Sequence, residues 1–200
     1  MQRIKALFFA ACLAVAGAVQ AEKVTIAAAA DLKFAMDEIV AHFRAENPKD
    51  QVEVIYGSSG KFHTQVQQGA PYDLFFSADI GFAEELVKSG HAASNVMPYA
   101  LGRIVLWSPT LDASQMTLAS LADAKISRIA IANPKHAPYG KRAEEALRAM
   151  QLWDKVESKL VYGENIAHTA QLVQTGNAQV GIIALALALN PALAEKGRFY

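Results

Sequence analysis

Short apolar runs alternate with amphipathic segments through the first half of the chain. Residues 24–30 are mostly apolar, which is typical of a buried strand in a parallel sheet. Between residues 32 and 46 apolar side chains recur every three or four positions and predict an amphipathic helix. Further strands at residues 52–56 and 73–77 each precede a shorter helix. This βαβαβα order predicts a mainly parallel sheet with helices on its faces.

The second half repeats the same α/β pattern after a crossover near residues 98–102. Helical periodicity is clearest around residues 143–150 and 165–175. Apolar runs predict further strands at residues 103–107, 128–132, 160–162 and 180–185. We therefore predict a two-lobed α/β protein in which each lobe is a mainly parallel sheet flanked by helices. The predicted divisions are a signal peptide at 1–21, lobe 1 at 22–100 and lobe 2 at 101–200.

Four turns follow predicted strands and open predicted helices. They lie at residues 29–31, 57–60, 138–140 and 164–166, two in each half of the chain. In parallel sheets ligands bind beyond the carboxyl ends of the strands, where helices begin. The first N–H groups of a helix have no intrahelical acceptor, and the helix dipole makes this end attractive to anions. The pattern predicts an anion site in a cleft between the lobes.

The N-terminus has the three parts of an export signal. Arg3 and Lys5 precede an apolar segment at residues 7–17, and small residues before position 22 predict cleavage after Ala21. The only cysteine, Cys12, lies inside this segment. A lipoprotein interpretation of Cys12 is the alternative, although Phe9 stands where a leucine-like residue is expected. Cleavage after Ala21 predicts a periplasmic protein without disulfides.

The charge pattern excludes several classes of partner. The chain has 19 basic and 19 acidic residues with no basic run, which argues against nucleic acid. An anion would therefore be held mainly by neutral donors. The turn at 57–60 is not a nucleotide-binding P-loop, because Ile55 and Phe62 occupy positions that need glycine and a hydroxyl residue. The histidines show no paired spacing for a metal site.

Five stretches together resemble one family, the periplasmic molybdate-binding proteins of ABC transporters, which have a type II solute-binding fold. They occur in the family's order and cover essentially the whole chain after residue 21. The stretches are AAAADL (27–32), YGSSGK (56–61), GAPYDLFFSAD (69–79), NPKHAPYG (133–140) and GNAQVG (176–181). Members of the family usually continue with segments that return to lobe 1, and we expect this return to be missing or truncated here.

The resemblance implies a binding protein, not an enzyme, that captures molybdate or tungstate and delivers it to a membrane permease. It implies a monomer without a cofactor, and molybdenum bound only as the oxyanion. A family contact near Ala184 would be lost, because alanine has no hydroxyl. The implied ligand-binding residues are Ala30, Asp31, Ser58, Ser59, Tyr139 and Ile166, with Tyr139 and Ile166 acting through their backbone N–H groups. Such a set offers donors to an anion that can only accept hydrogen bonds.

Two alternatives concern this site. The side chain of Asp31 either caps its own helix and points away from the cleft, or accepts a hydrogen bond from a protonated anion such as hydrogen phosphate. In the second case the protein would bind another tetrahedral oxyanion, phosphate or sulfate. A serine hydrolase built on Ser58, His63 and Asp73 is a further alternative, although the usual nucleophile elbow is missing.

Overall fold

Two β-sheets, one in each half of the chain, organise the computed structural model, which describes residues 23–200. The predicted signal peptide, its cleavage after Ala21 and the alternative for Cys12 lie outside the described residues. The predicted boundary between residues 100 and 101 falls within residues 89–103, which contain no helix or strand. We use it to define lobe 1 (residues 23–100) and lobe 2 (residues 101–200).

Lobe 1 is built on a three-stranded sheet with the order β2-β1-β3, in which both pairings are parallel. A 3-10 turn, Ala30–Leu32, joins β1 directly to the first helix. Parallel strands need crossover connections, and the amphipathic helices of this half supply them. The elements are β1 (Lys23–Ala29), α1 (Lys33–Glu46), β2 (Gln51–Gly57), α2 (Ser59–Gln67), β3 (Leu74–Phe76) and α3 (Ile80–Lys88).

Lobe 2 is built on a five-stranded sheet with the order β6-β5-β7-β4-β8. Its strands are β4 (Ile104–Ser108), β5 (Ile129–Ala132), β6 (Leu160–Gly163), β7 (Val180–Ala184) and β8 (Arg198–Phe199). Its α-helices are α4 (Pro138–Ala149), α5 (Trp153–Val156), α6 (Ile166–Gln174), α7 (Leu185–Ala188) and α8 (Pro191–Ala194), and 3-10 turns lie at Ala113–Gln115, Leu118–Ala122 and Glu157–Lys159.

The two-lobed α/β prediction is confirmed, with one difference in lobe 2. Strand β5 pairs in parallel with β6 and β7, but β4 runs antiparallel to both β7 and β8. The apolar run of β4 predicted a strand without indicating its direction, because strand direction depends on the path of the chain. Two short elements, α5 and β8, were not predicted.

The main core lies in lobe 2. Every residue of β5 and of β7 is buried, as expected for strands covered on both faces. The smaller core of lobe 1 packs Met36 and Val40 of α1 against Ile26 and Val52 of the sheet. None of the helices between residues 23 and 200 is long and apolar enough to cross a membrane.

A close glycine contact positions the start of α4. A Cβ atom added at Gly140 would lie 2.1 Å from the backbone oxygen of Ala132, at the end of β5. Only glycine therefore allows the first turn of α4 to pack this tightly on the sheet. This contact places Tyr139, the preceding residue, at the carboxyl end of β5.

Candidate functional site

A small cavity of about 10 Å³ lies between the lobes. All the predicted ligand-binding residues line it, so the fold brings them together from distant parts of the chain. The other lining residues also belong to the four predicted turns, except Ala78 and Ala137, which were not predicted. The complete lining is Ala29, Ala30, Asp31, Gly57, Ser58, Ser59, Ala78, Ala137, Pro138, Tyr139, Asn165 and Ile166.

Lobe 1 contributes two serine hydroxyls at the end of β2. Ser59 is fully buried, and its Oγ accepts a hydrogen bond from the backbone N–H of Ala78 at 2.9 Å. A hydroxyl has one proton to donate, and this contact leaves that proton unused. The Oγ of Ser58 lies 3.0 Å from Nδ1 of His136, across the cleft. Ser59 is thus the hydroxyl best prepared to donate to an anion.

Lobe 2 contributes two helix N-termini. Helix α4 begins at Pro138, so Tyr139 lies in its first turn, and α6 begins at Ile166. Asn165 caps α6 by accepting a hydrogen bond from the N–H of His168 at 2.9 Å. The first-turn N–H groups of both helices have no intrahelical acceptor. Together with α2, which begins at Ser59, they direct three positive helix ends to the region of the cavity.

The side chain of Asp31 does not act as the predicted helix cap. Ala29 precedes the 3-10 turn and provides no side-chain cap, while Asp31 is buried in the cavity wall. Its Oδ2 instead accepts a hydrogen bond from the Tyr139 hydroxyl at 2.9 Å. The first alternative, in which this carboxyl caps its own helix and points away from the cleft, is therefore wrong. The side chain bonds instead to Tyr139 of the other lobe, and no local sequence pattern reveals such a distant partner.

Burial alters the acidity of both members of this pair. Desolvation raises the pKa of Asp31 above its ordinary value of 3.8, and the hydrogen bond from Tyr139 and, less strongly, the backbone N–H of Asp31 itself offset part of that effect. Burial also raises the pKa of the Tyr139 phenol, and the neighbouring Asp31 raises it further. Tyr139 is therefore the proton donor in this hydrogen bond.

Further polar contacts join the two lobes around the cavity. The N–H of Gly60 donates to the backbone oxygen of His136 at 3.0 Å, and Lys61 forms an ion pair with Glu164. On the other side Arg142 contacts Asp79 at 3.1 Å. Burial lowers the pKa of His136, Glu164 raises it, and Lys61 lowers it. His136 was not predicted to belong to the site, although it lies within the NPKHAPYG stretch.

The proposed hydrolase residues do not form a triad. His63 lies against Glu85 at 3.2 Å, and Asp73 accepts a hydrogen bond from the N–H of Thr25 at 2.7 Å. Ser58 contacts His136 instead. Within residues 23–200 no group of three or more His, Cys, Asp or Glu side chains is arranged to hold a metal ion.

A larger open depression of about 460 Å³ lies on lobe 2, lined by Asn133, Pro134, Lys135, Glu144, Trp153 and Tyr162. Glu144 is paired with Arg148, whose guanidinium stacks 4.4 Å from the Trp153 ring. One short helix, the four-residue α5, begins among these lining residues, at Trp153, and no buried hydroxyl lies beside it. The smaller cavity between the lobes, where helix N-termini and buried hydroxyls meet, is therefore the candidate site.

Ala184 ends β7 and is fully buried in the core, so it does not line the cavity. The predicted loss of a family contact there rests on the resemblance alone. It stays a prediction.

Comparison with known proteins supports the family resemblance. The molybdate-binding protein ModA of Azotobacter vinelandii is 38% identical over 169 residues, which cover 84% of this chain and 67% of that protein. ModA of Rhodobacter capsulatus is 36% identical, covering 82% of this chain and 65% of that protein. The chain thus spans about two thirds of the length of these curated relatives.

Solved structures show the same fold. The periplasmic molybdate-binding protein of Azotobacter vinelandii superposes with a TM-score of 0.79 at 29% identity, covering 85% of this chain and 74% of that chain. The sulfate-binding protein SubI of Mycobacterium tuberculosis has a TM-score of 0.70 at 17% identity, which shows the fold alone. Residues 24–200 also match the family described as bacterial extracellular solute-binding proteins. The chain belongs to this family of bacterial extracellular solute-binding proteins.

Proposed function

We propose that this protein captures molybdate or tungstate between its lobes and delivers the anion to the permease of an ABC transporter. The proposal rests on the family, on relatives named as molybdate-binding proteins, and on the chemistry of the cavity wall. A solute-binding family also supports a binding role over a catalytic one.

The observation that carries the proposal is the convergence of donors on one small cavity between the lobes. The fully buried Ser59 hydroxyl has a free proton, and α4 and α6 present first-turn N–H groups. An unprotonated tetrahedral oxyanion can only accept hydrogen bonds, and such bonds are stronger because the acceptor is charged. Neutral donors also agree with the absence of a basic run in the sequence.

The size of the cavity implies that the lobes move when a ligand enters. A volume of about 10 Å³ is close to that needed for one water molecule. A tetrahedral oxyanion is larger, so the lobes must separate for its entry and close less tightly around it. The polar contacts between lobes, such as Gly60 with His136, are the ones that this motion would break.

Calorimetric titration with molybdate, tungstate, sulfate and phosphate tests the function. We expect one-to-one binding of molybdate and tungstate, and no heat of binding with sulfate or phosphate. Binding of phosphate or sulfate alone would favour the alternative oxyanion. The fold by itself does not discriminate, because a sulfate-binding protein shares it.

Replacement of Ser59 by alanine tests the site. The variant removes the buried hydroxyl and should weaken molybdate binding by about 1–3 kcal/mol. Ser89→Ala is the matched control, because the Ser89 hydroxyl lies at the exposed end of α3 and donates to Glu85. Unchanged affinity in Ser59→Ala would remove this residue from the site.

A further inference from the structure

One oxygen of the Asp31 carboxyl has no partner in the wall of the cavity. Its Oδ2 accepts from the Tyr139 hydroxyl, whereas Oδ1 is buried and has no hydrogen-bond partner among the described residues. Asp31 is only 9% exposed. Burying an unpaired carboxylate oxygen is unfavourable in free energy. In a ligand cavity, a bound ligand or a proton on the carboxyl would remove this penalty.

No cationic side chain within residues 23–200 forms an ion pair with Asp31. Each ion pair within residues 23–200 involves another acidic residue. The titratable groups facing Asp31 are the phenols of Tyr139 and Tyr99, and the Tyr99 hydroxyl donates to the backbone oxygen of Ser77 at 2.7 Å. Burial raises the pKa of both phenols and Asp31 raises it further, so both remain neutral.

The neighbouring helices do not supply a charge to this carboxyl either. On α1, Lys33 pairs with Asp37. On α6, the Nδ1 atom of His168 accepts from the N–H of Glu164, and α7 (Leu185–Ala188) has no titratable side chain. An ionised Asp31 would therefore face a bound dianion with no cationic side chain from α1, α6 or α7 to compensate its charge.

We propose that Asp31 carries a proton when the oxyanion is bound, so that its Oδ1–H donates to the anion while Oδ2 still accepts from Tyr139. This inference rests on the proposed function and adds a specificity-determining residue to it. The proton comes from solvent, and one is taken up for each anion that binds an ionised site. Both carboxyl oxygens then have partners, and the carboxyl becomes one more donor.

The protonated carboxyl also accounts for discrimination against hydrogen phosphate. An unprotonated oxyanion accepts from the Oδ1–H group. Hydrogen phosphate carries its own proton, which would need an acceptor at a wall that offers donors. An ionised Asp31 would reverse this preference, because its Oδ1 could accept the proton of hydrogen phosphate. The two states of Asp31 therefore predict opposite ligands.

The pH dependence of molybdate affinity tests the proposal. We expect the Kd of the unaltered protein to rise as the pH rises above the pKa of Asp31 in the ligand-free protein, which lies above 3.8, with a slope approaching about tenfold per pH unit. Asp31→Asn should bind molybdate with little dependence on pH, since its amide N–H is a permanent donor in place of Oδ1–H. Identical pH profiles for the two proteins, or a flat profile for the unaltered protein, would overturn the proposal.

Proton uptake gives a second measurement that needs no variant. Titration of the unaltered protein with molybdate in two buffers of different ionisation enthalpy should show uptake of up to one proton per anion, largest where the affinity falls with pH. Absence of uptake throughout that pH range would contradict the inference even if Asp31→Asn failed to fold. If molybdate does not bind at any pH, including the lowest, the proposed function itself fails. Binding without proton linkage rejects only the role of Asp31.

Discussion

The two lobes bury their sheets to different extents. In lobe 2 the strands β5 and β7 are buried at every position, whereas in β2 of lobe 1 only Val52 is buried. Lobe 1 also leaves large apolar side chains exposed, with Ile39 60% and Phe43 42% exposed on α1. Lobe 1 therefore has the smaller core, and lobe 2 has the main one.

This difference matches what each lobe contributes to the site. Lobe 2 presents backbone N–H groups from α4 and α6, which must be held in place by packing against β5 and β6. Lobe 1 presents side-chain groups, the Ser58 and Ser59 hydroxyls and the Asp31 carboxyl. Regions with fewer buried apolar contacts open at lower free energy. We expect lobe 1 to unfold more readily than lobe 2.

The largest effect should come from Gly140→Ala in lobe 2. The added Cβ would lie 2.1 Å from the backbone oxygen of Ala132, and backbone cannot move aside as a flexible side chain can. We expect the free energy of unfolding to fall by about 3 kcal/mol or more. Urea denaturation measures it. Gly81→Ala is the control, because its Cβ would meet only the Asp79 side chain, at 3.2 Å; equal losses in both variants would contradict the packing argument.

A pair of core truncations compares the lobes directly. Leu147 of lobe 2 is 0% exposed and Met36 of lobe 1 is 5% exposed. Leu147→Ala should lower the free energy of unfolding by about 2–5 kcal/mol. For Met36→Ala we expect a loss near the lower end of this range, because the smaller core of lobe 1 can relax around the truncated side chain. The two variants are measured side by side in urea. A larger loss of unfolding free energy for Met36→Ala than for Leu147→Ala would contradict our expectation that lobe 1 is the less tightly packed lobe.

The stability of the ligand-free protein should depend on pH through Asp31. Because burial raises its pKa above 3.8, Asp31 contributes stability that is complete below 3.8 and is lost as the pH rises through the higher value. Asp31→Asn should therefore gain stability relative to the unaltered protein as the pH rises above 3.8. Thermal unfolding across this range measures the difference.

Asp37 provides a control of opposite sign. Burial tends to raise its pKa, but hydrogen bonds from Lys33 and Tyr56 outweigh that effect and the pKa is lowered. Asp37→Asn should therefore lose stability relative to the unaltered protein as the pH rises. A shared direction for the two variants would show that neither effect comes from the local contacts described here.

The smallest effect should come from Arg142, which forms one ion pair across the lobes, with Asp79, and one within lobe 2, with Glu145. Arg142→Ala removes contacts of a half-exposed side chain with Asp79 and Glu145. We expect a change of about 0–1 kcal/mol in unfolding free energy, which shrinks further in high salt. A loss as large as that of Leu147→Ala would mean that the lobes depend on each other for folding.

Most of the fold could be predicted from periodicity, because long elements with one buried face leave a clear pattern. Helix α1 and strands β1 and β2 were predicted within a residue of their observed bounds. Short elements such as α5 were missed, because its four residues are too few to show a periodicity. Arg148, which stacks on the first residue of α5, Trp153, belongs to another helix, α4. The antiparallel pairing of β8 with β4 depends on residues far apart in the chain, such as Trp107 and Phe199.

The sequence by itself determined the polar turns that begin the helices, the residues at those turns and the family to which they point. Helix starts depend on neighbouring residues, so local chemistry was enough to find the turns at 57–60, 138–140 and 164–166, and the family resemblance pointed to Ser59, Tyr139 and Ile166 within them. Only the tertiary structure decided that the Asp31 carboxyl crosses the cleft to Tyr139 and that His136 contacts Ser58. These partners are separated by 108 and 78 positions in the chain. A side chain can accept a hydrogen bond from a distant donor, rather than cap its own helix, only when packing of the lobes brings that donor within reach.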